Sequence, residues 1–208
     1  MSRECLVSSN PATGERAVLL TDPREHPERV LVTHLFVSPG GRVAAPHSHP
    51  TLTERFLVLE GQVGFLIDGK EMVLSAGESA TVAPETVHDW WQVGDEEAQV
   101  LVEVDPGDRF LEMVSTIFGL ARDGKVDDEG LPDPLQLAVI GHEYGEVVRF
   151  TTPPPLVQKL MIPPMAALGR ALGRRPTYPE YTELEETESA DPRAVAALTP
   201  EGRLRPDA

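Results

Sequence analysis

Two of the six histidines in this 208-residue chain, His47 and His49, are separated by one residue in the stretch GRVAAPHSHPTLTERFLVLEG. Alternate side chains of a β-strand point to the same face, so this spacing predicts that the two imidazoles converge. Glu54 follows at the start of the next strand-like run, and His88 lies early in a later one. Three imidazoles and one carboxylate suit one divalent transition metal ion, Fe, Mn, Ni, Cu or Zn, and do not suit Ca(II).

These four residues predict a centre with chemistry of its own. An octahedral ion held by four protein ligands keeps two positions for water, O2 or a substrate. Glu54 is also a candidate catalytic base, if it leaves the metal during the reaction. His34, on the strand before the motif, is a candidate acid–base group on the cavity wall. The alternative for His34 is a packed or surface histidine, which is the commoner case.

Strand parity also predicts the wall of a substrate pocket. Trp90 and Gln92 share the face of His88, whereas Trp91 points to the opposite face. Phe56 and Val58 share the face of Glu54 in the same way. An ordinary barrel core is an equally good interpretation of these four residues. If they do line a pocket, its aromatic and aliphatic surface favours a small apolar or aromatic substrate over a sugar.

The elements that position these residues are predicted to be strands. Between residues 28 and 105, seven or eight short β-rich runs alternate with turns, a pattern typical of an all-β sandwich or barrel. Asp68-Gly69 separates two of the runs and predicts a two-residue hairpin. We therefore expect an N-terminal arm at 1–27, including Cys5 in a mobile segment, and a β-barrel at 28–105.

Beyond residue 105 the pattern becomes helical. The stretch DRFLEMVSTIFGLARDGK has apolar residues at helical spacing, and Asp133-Pro134 is a typical helix start. The stretch LVQKLMIPPMAALGRALG predicts two short helices separated by Pro163-Pro164. We expect residues 106–175 to form a helical extension packed on the barrel or on a partner subunit. The acidic residues 176–208 are expected to form a largely flexible tail.

Charge and composition exclude several classes of function. The formal net charge of −16 and the pI of about 4.7 argue against nucleic acid and anionic membrane surfaces as partners. A single cysteine excludes an internal disulfide, and neither a signal peptide nor an 18-residue apolar run is evident. We therefore expect a cytoplasmic protein. Exposed edge strands need covering, which predicts a homodimer.

The sequence resembles the cupins in two motifs. The first cupin motif runs Gly, five residues, His-x-His, three or four residues, Glu, six residues, Gly, and every fixed position matches in this chain: Gly41, His47, His49, Glu54 and Gly61. In the second motif Gly77 and His88 match. That motif departs from the cupin pattern at three positions: Ala83 and Glu85 replace its proline and glycine, with Pro84 shifted by one, and Gln92 replaces its asparagine. The resemblance implies a double-stranded β-helix, or jelly-roll barrel, with one metal ion in its mouth.

A shared fold hosts many functions, so three hypotheses remain open. The first is a metal-dependent oxygenase or dioxygenase acting on a small, apolar or aromatic metabolite. The second is an isomerase, cyclase or lyase in which the metal acts as a Lewis acid. The third is a non-catalytic small-molecule-binding module. The four apparent ligands favour an enzyme over a binding module, but the sequence does not discriminate between the two enzymes.

Overall fold

The computed structural model describes residues 4–43, 45–184 and 186–206. Within them lie twelve strands and five helices. The strands are β1 (Glu4–Asn10), β2 (Glu15–Thr21), β3 (Leu31–Val37), β4 (His47–Ser48), β5 (Thr53–Glu60), β6 (Gln62–Ile67), β7 (Lys70–Ser75), β8 (Ser79–Val82), β9 (His88–Val93), β10 (Ala98–Asp105), β11 (Arg149–Phe150) and β12 (Thr187–Ser189). The helices are α1 (Asp108–Arg122), α2 (Pro134–Glu143), α3 (Pro155–Ala171), α4 (Pro179–Thr182) and α5 (Pro192–Ala196).

The strands form two antiparallel sheets that face each other. The larger sheet has seven strands in the order β12, β1, β2, β3, β10, β5 and β8, and the smaller has five in the order β11, β4, β9, β6 and β7. Apolar side chains from both sheets meet between them in one core, which includes Phe56, Phe65 and Trp90. This arrangement confirms the predicted mainly-β jelly-roll barrel with a helical C-terminal extension.

The predicted Asp68-Gly69 hairpin is present between β6 and β7. Both residues have left-handed backbone conformations, with φ of 50° and 74°, as the tightest hairpin turn requires. On the neighbouring β9, Trp90 is buried toward the core while Trp91 lies across Gly64 on the other face. A Cβ atom at Gly64 would approach the Trp91 ring to 2.4 Å, so only glycine fits beneath this indole.

Two of the helices begin as the sequence predicts. α1 follows the amphipathic run, and α2 starts with the Asp133 carboxylate accepting hydrogen bonds from the backbone N–H groups of Leu135 and Gln136. The prediction for α3 is wrong, because one helix continues through Pro163 and Pro164. Each proline removes one backbone hydrogen bond. Both prolines lie on the exposed part of the helix, where solvent can hydrate the carbonyl groups left without a partner.

The apolar surface of α3 is divided between a packed face and an exposed face. Ala166 and Gly169 are buried against α2, and a Cβ atom at Gly169 would lie 2.8 Å from a methyl group of Val139. Leu156 and Leu160 remain about 70% exposed. Within the described ranges, no helix is long and apolar enough to cross a membrane.

The predicted N-terminal arm is partly built into the barrel, and this corrects the boundary at residue 28. Residues 1–3 of that arm lie outside the described residues. β1 and β2 pair with each other, and β2 pairs with β3, so the larger sheet extends across both strands. Cys5 is buried in β1 rather than mobile. The continuous apolar run AVLL accounts for the strand, because alternate residues of β2 pack inside the barrel and beneath the C-terminal residues.

The predicted flexible tail is also corrected by the structure. β12 pairs with β1, and the residues that follow cover the outer face of the larger sheet. Ala190, Ala194, Leu198 and Leu204 are buried there, in a second apolar cluster with residues of β3 and β10. Acidic composition predicted disorder, but apolar residues at intervals supply enough buried surface to hold this segment in place.

A buried carboxylate fixes the end of this segment to the sheet. Glu103 of β10 is 2% exposed, and its Oε2 accepts a 2.6 Å hydrogen bond from the backbone N–H of Leu204. Its Oε1 accepts from the Arg203 guanidinium at 3.2 Å and lies 3.6 Å from that of Arg55. The carboxylate therefore has both charge compensation and hydrogen bonds, as burial of a charge requires.

We expect Arg203→Ala to destabilise the protein by about 2 kcal/mol, because it removes a charged hydrogen bond from a buried carboxylate. Arg193→Ala is the matched control in the same segment. Its ion pairs are exposed, so its cost should stay below about 1 kcal/mol. Urea unfolding monitored by circular dichroism measures both. Equal and small effects would show that the segment does not depend on Glu103.

Candidate functional site

Side chains from both sheets meet at one end of the barrel, where the sequence predicted a metal centre. His47 on β4 is directly opposite His88 on β9, and His49 follows β4. Glu54 comes from β5 in the facing sheet. One potential ligand atom from each residue lies within 4.8 Å of all the others, and all four residues are buried. The structure therefore brings together all four predicted ligands.

The three imidazoles are oriented by backbone carbonyl groups. Nδ1 of His47 lies 2.8 Å from the carbonyl oxygen of Ala45, and Nδ1 of His88 lies 3.1 Å from that of Thr86. Nδ1 of His49 lies 2.7 Å from the carbonyl oxygen of Val147, in the helical extension. A carbonyl oxygen can only accept, so Nδ1 carries the proton in each ring. Each Nε2 then presents a lone pair to the centre of the site.

These lone pairs surround a carboxylate that also lacks a donor. Oε2 of Glu54 lies 2.9 Å from Nε2 of His88 and 3.2 Å from Nε2 of His49. These three buried atoms have no hydrogen-bond partner among the described residues. Acceptors at such distances repel one another unless a cation lies between them. A divalent ion meets this requirement, so the donor set fits a resident transition metal.

Burial and the Glu54 carboxylate control protonation in the cluster. Burial, together with the neighbouring His49 and His88, lowers the pKa of His47 to about 3. Burial acts in the same direction on His49, but the Glu54 carboxylate outweighs it and raises the pKa of His49. For Glu54 itself, burial is opposed by His49 and His88, which hold its pKa below the usual range. A proton and a metal ion therefore compete for the same position.

The loop before His88 is fixed by a hydrogen bond at one of the positions that depart from the cupin pattern. Glu85 stands where that pattern has glycine, and it adopts a left-handed conformation with φ of 64°. Its backbone N–H donates a 2.7 Å hydrogen bond to the carbonyl oxygen of His49. The strained backbone thus connects the loop to one of the candidate ligands, and a non-glycine residue holds it at a cost of about 1 kcal/mol.

The four predicted pocket residues have different positions. Phe56 and Trp90 line a cavity of about 170 Å³ that reaches His47, His49 and Glu54. Val58 is fully buried in the core and does not line the cavity. Gln92 also lies outside the lining. Its side-chain amide donates to three loop carbonyl groups, including that of Glu96 at 2.6 Å, and its oxygen accepts from the Gly40 N–H. Gln92 therefore fixes loops rather than contacting a substrate.

His34 does not lie on the cavity wall, which corrects its prediction as an acid–base group. Thr33 and Leu35 on either side of it line the cavity, so His34 points to the opposite face of β3. There it stacks on Phe36, with ring centroids 4.1 Å apart, beneath the segment that carries Asp191. Burial lowers the pKa of His34 and favours the neutral ring. The commoner alternative, a packed histidine, is the one observed.

Several cavity residues were not predicted from the sequence, because they come from segments assigned to the extension and the arm. From the extension come residues of α1, including Phe110 and Met113, together with Phe150 of β11. From the first strands come Asn10, Thr13 and Glu15. The alternation of Glu15, Ala17 and Leu19 along β2 was the one available signal that these residues share a face.

Glu15 is the unusual member of this group. Glu15 lines the cavity, and the Thr13 hydroxyl donates a hydrogen bond of 2.5 Å to its Oε2. Burial raises the pKa of the carboxyl to about 7, which the Thr13 hydrogen bond opposes. Glu15 is therefore a carboxyl that titrates near neutral pH, beside its strand partner Asn10 and its hydrogen-bond partner Thr13.

Comparisons with known proteins agree with the fold and the motifs. Residues 34–104 match the family model described as "Cupin domain". The chain is 37% identical over 111 residues to germin-like protein subfamily T member 2 of Arabidopsis thaliana, covering 50% of this chain and 49% of that protein. It is 31% identical over 103 residues to subfamily T member 3 of the same plant, covering 47% and 43%. The chain spans about half the length of these curated relatives.

Solved structures also resemble the barrel. A sugar phosphate isomerase of the cupin superfamily from Silicibacter pomeroyi has 21% identity and a TM-score of 0.42, covering 50% of this chain and 71% of that one. KdgF from a Halomonas species has 16% identity and a TM-score of 0.42, covering 48% and 84%. Residues 34–104 of this chain therefore match a cupin domain, in the part of the chain that holds all four candidate ligands.

The raised pKa of Glu15 predicts a pH-dependent stability. Between its unfolded value of 4.5 and about 7, the folded protein holds a proton that the unfolded chain releases, so this residue makes stability fall as pH rises through that range. Glu15→Gln removes the effect. We expect the stability of the variant relative to wild type to increase from pH 5 to pH 8 in urea unfolding. A pH-independent difference between the two proteins would contradict this assignment.

Proposed function

We propose that this cupin is a metal-dependent enzyme, an oxygenase or dioxygenase acting on a small apolar or aromatic metabolite. The observation that carries the proposal is the group of buried lone pairs on His49, His88 and Glu54, which have no donor and converge beside a cavity. A purely structural cluster would satisfy these atoms with hydrogen bonds. Leaving them unsatisfied is costly unless a metal ion completes them.

The ion, when bound, would supply either a redox centre that binds O2 or a Lewis acid that polarises a carbonyl group. His47, His49, Glu54 and His88 would hold it, each imidazole fixed by its carbonyl partner. The redox assignment is the one we favour, with an isomerase, cyclase or lyase as the alternative that uses the same residues. Non-catalytic binding of a small molecule is the third possibility.

An apolar substrate is supported by the walls beside the candidate ligands. Phe110 lies with its ring centroid 5.7 Å from that of His49, and Phe150 lies 6.2 Å from His47. Phe56 and Trp90 complete this end of the cavity. These residues would exclude water from the metal and would give a sugar few hydrogen-bond partners, whereas an aromatic or aliphatic group would fit them.

The test is elemental analysis of purified wild type after each candidate ion has been supplied, together with His47→Ala and His88→Ala. We expect one metal ion per chain in wild type and loss of more than about a hundredfold in affinity in each variant, since even outer partners of ligands contribute 10- to 100-fold. His34→Gln is the matched control, because this buried histidine lies on the other face of the sheet and its variant should keep the metal.

The outcomes separate the alternatives. Bound iron, copper, nickel or manganese supports an oxygenase, which O2 consumption in the presence of apolar candidate substrates then tests. Bound zinc supports Lewis-acid chemistry instead. Absence of every ion from folded wild type would overturn the metal-dependent proposal and favour the binding module.

We also propose a homodimer that covers an edge of the smaller sheet. β7 ends the order of strands in that sheet, and Met72 and Val73 on it are exposed. A free edge with apolar side chains is a surface for pairing with a second copy. We expect light scattering after size-exclusion chromatography to give twice the 22.7 kDa chain mass at micromolar concentration. Met72→Lys should shift the protein to monomer, and a wild-type monomer would contradict the proposal.

A further inference from the structure

The cavity extends from the His/Glu cluster along the underside of α1 to the opposite end of the barrel. Phe110, in the first turn of α1, contacts His49. In the last turn, Arg122 donates to the Ser8 hydroxyl and to the Ser9 carbonyl oxygen on β1. Twelve residues of helix separate these contacts, a length of roughly 18 Å. Side chains of α1 between Phe110 and Phe118 line the cavity, over roughly 12 Å of this length.

The register of the paired strands gives the distance between Glu54 and Glu15 along the barrel. Glu54 lies on the line of paired residues that contains Val104 and Leu31, whereas Glu15 pairs with Val37. Leu31 and Val37 are six residues apart along β3, which corresponds to roughly 20 Å. The two carboxylates therefore occupy opposite ends of an elongated cavity, and the surface between them is mainly apolar.

Glu15 has fewer partners than a buried structural carboxylate needs. Among the described residues, the Thr13 hydroxyl is the one hydrogen-bond donor to its side chain, and it contacts Oε2. No Lys or Arg in that part of the chain forms an ion pair with it; Arg16, the next residue, pairs with Glu188 instead. Glu15 lines the cavity, and its Oε1 has no hydrogen-bond donor among the described residues. A carboxyl group in such surroundings favours a ligand that brings a donor.

From this geometry we infer that Glu15 is a second polar anchor in the pocket. The pocket would take an elongated apolar molecule that places an O–H or N–H group on Glu15, at the end away from the His/Glu cluster. This inference rests on the proposed function only in treating the cavity as the substrate pocket. An alcohol and an amine share the required donor. An ammonium group would also supply the positive charge that Glu15 lacks.

The experiment measures binding of three probes that share an octyl chain, by calorimetry, to protein supplied with the metal ion that it retains: octanol, octylamine and octyl methyl ether. The ether has the same apolar chain but no donor. We expect wild type to bind the alcohol and the amine about tenfold more tightly than the ether, the effect of one hydrogen bond to a buried carboxyl. Glu15→Leu should abolish this preference while the ether still binds.

Two further variants keep the test decisive. Glu15→Gln preserves the size of the side chain. It should still bind the alcohol more tightly than the ether, but it should lose the preference for the amine. This variant replaces Glu15→Leu if Glu15→Leu does not fold. Glu71→Gln removes an exposed carboxylate on β7 and should behave as wild type. An undiminished preference in Glu15→Leu, equal binding of the three probes by wild type, or no binding of any of them would overturn the inference.

The metal content of the same preparations separates this inference from the proposed function. The binding measurements compare wild type with the Glu15 variants and involve no turnover, so they do not depend on catalysis. If wild type binds no metal but shows a Glu15-dependent preference, the proposed metal-dependent enzyme is contradicted and the role of Glu15 as a polar anchor is supported. Wild type that binds metal through His47 and His88 but shows no such preference would do the reverse.

Discussion

The candidate site depends on three contacts between imidazole Nδ1–H groups and backbone carbonyl oxygens. Each contact selects the tautomer and directs a lone pair toward Glu54, so four acceptor groups share a buried space. The cost of this arrangement must be offset by the folding of the rest of the barrel. In the absence of an ion, a proton on Nε2 of His49 relieves the repulsion by donating to the carboxylate, which is why Glu54 raises the pKa of His49. The fixed rings keep the same position organised for a metal cation.

The helical extension takes part in this site rather than only covering it. The carbonyl group that orients His49 belongs to Val147, and β11 pairs with β4 beside His47. α1 places Phe110 against the ring of His49 and then runs along the cavity. The extension therefore determines both the direction of one candidate ligand and the shape of the space beside it. A barrel without these residues would have the motif but would lack the wall and one of the three contacts.

The four candidate ligands could be predicted from sequence because their geometry is local. Alternation along a strand and the spacing of the glycines place them, and each lies in an element whose type is clear. His34 and Gln92 were misjudged for the opposite reason. Which face of β3 is inside depends on how seven strands curve together, and Gln92 has the right parity but lies where loops, not a cavity, fill the space. No pattern within either strand contains that information.

The two ends of the chain illustrate a second limit. The composition of residues 176–208 is typical of a solvated tail, yet Ala194 and Leu204 are buried against the outer face of the larger sheet. The sequence analysis assigned no segment to cover that face. A segment of low hydrophobicity can dock when the surface beneath it would otherwise be exposed, and both halves of such a contact must be known to predict it. For the same reason the sequence analysis did not predict that β1 and β2 join the larger sheet, or that Glu15 of β2 lines the cavity.

Three buried or cavity-facing carboxylates in the larger sheet show how partner groups distinguish structural from functional roles. Glu103 has an arginine at hydrogen-bond distance, a second arginine nearby and a backbone donor, so its charge and its oxygens are accounted for within the fold. Glu54 has only imidazole nitrogens beside Oε2, and these are acceptors in the tautomer that the backbone fixes. Glu15 has one hydroxyl donor.

All three carboxylates come from one chain with an excess of acidic residues, and burial acts on each of them. The incomplete partners of Glu54 and Glu15, at the two ends of one cavity, are what a site for an external cation and an external donor requires, whereas the complete shell of Glu103 leaves nothing for a ligand to add.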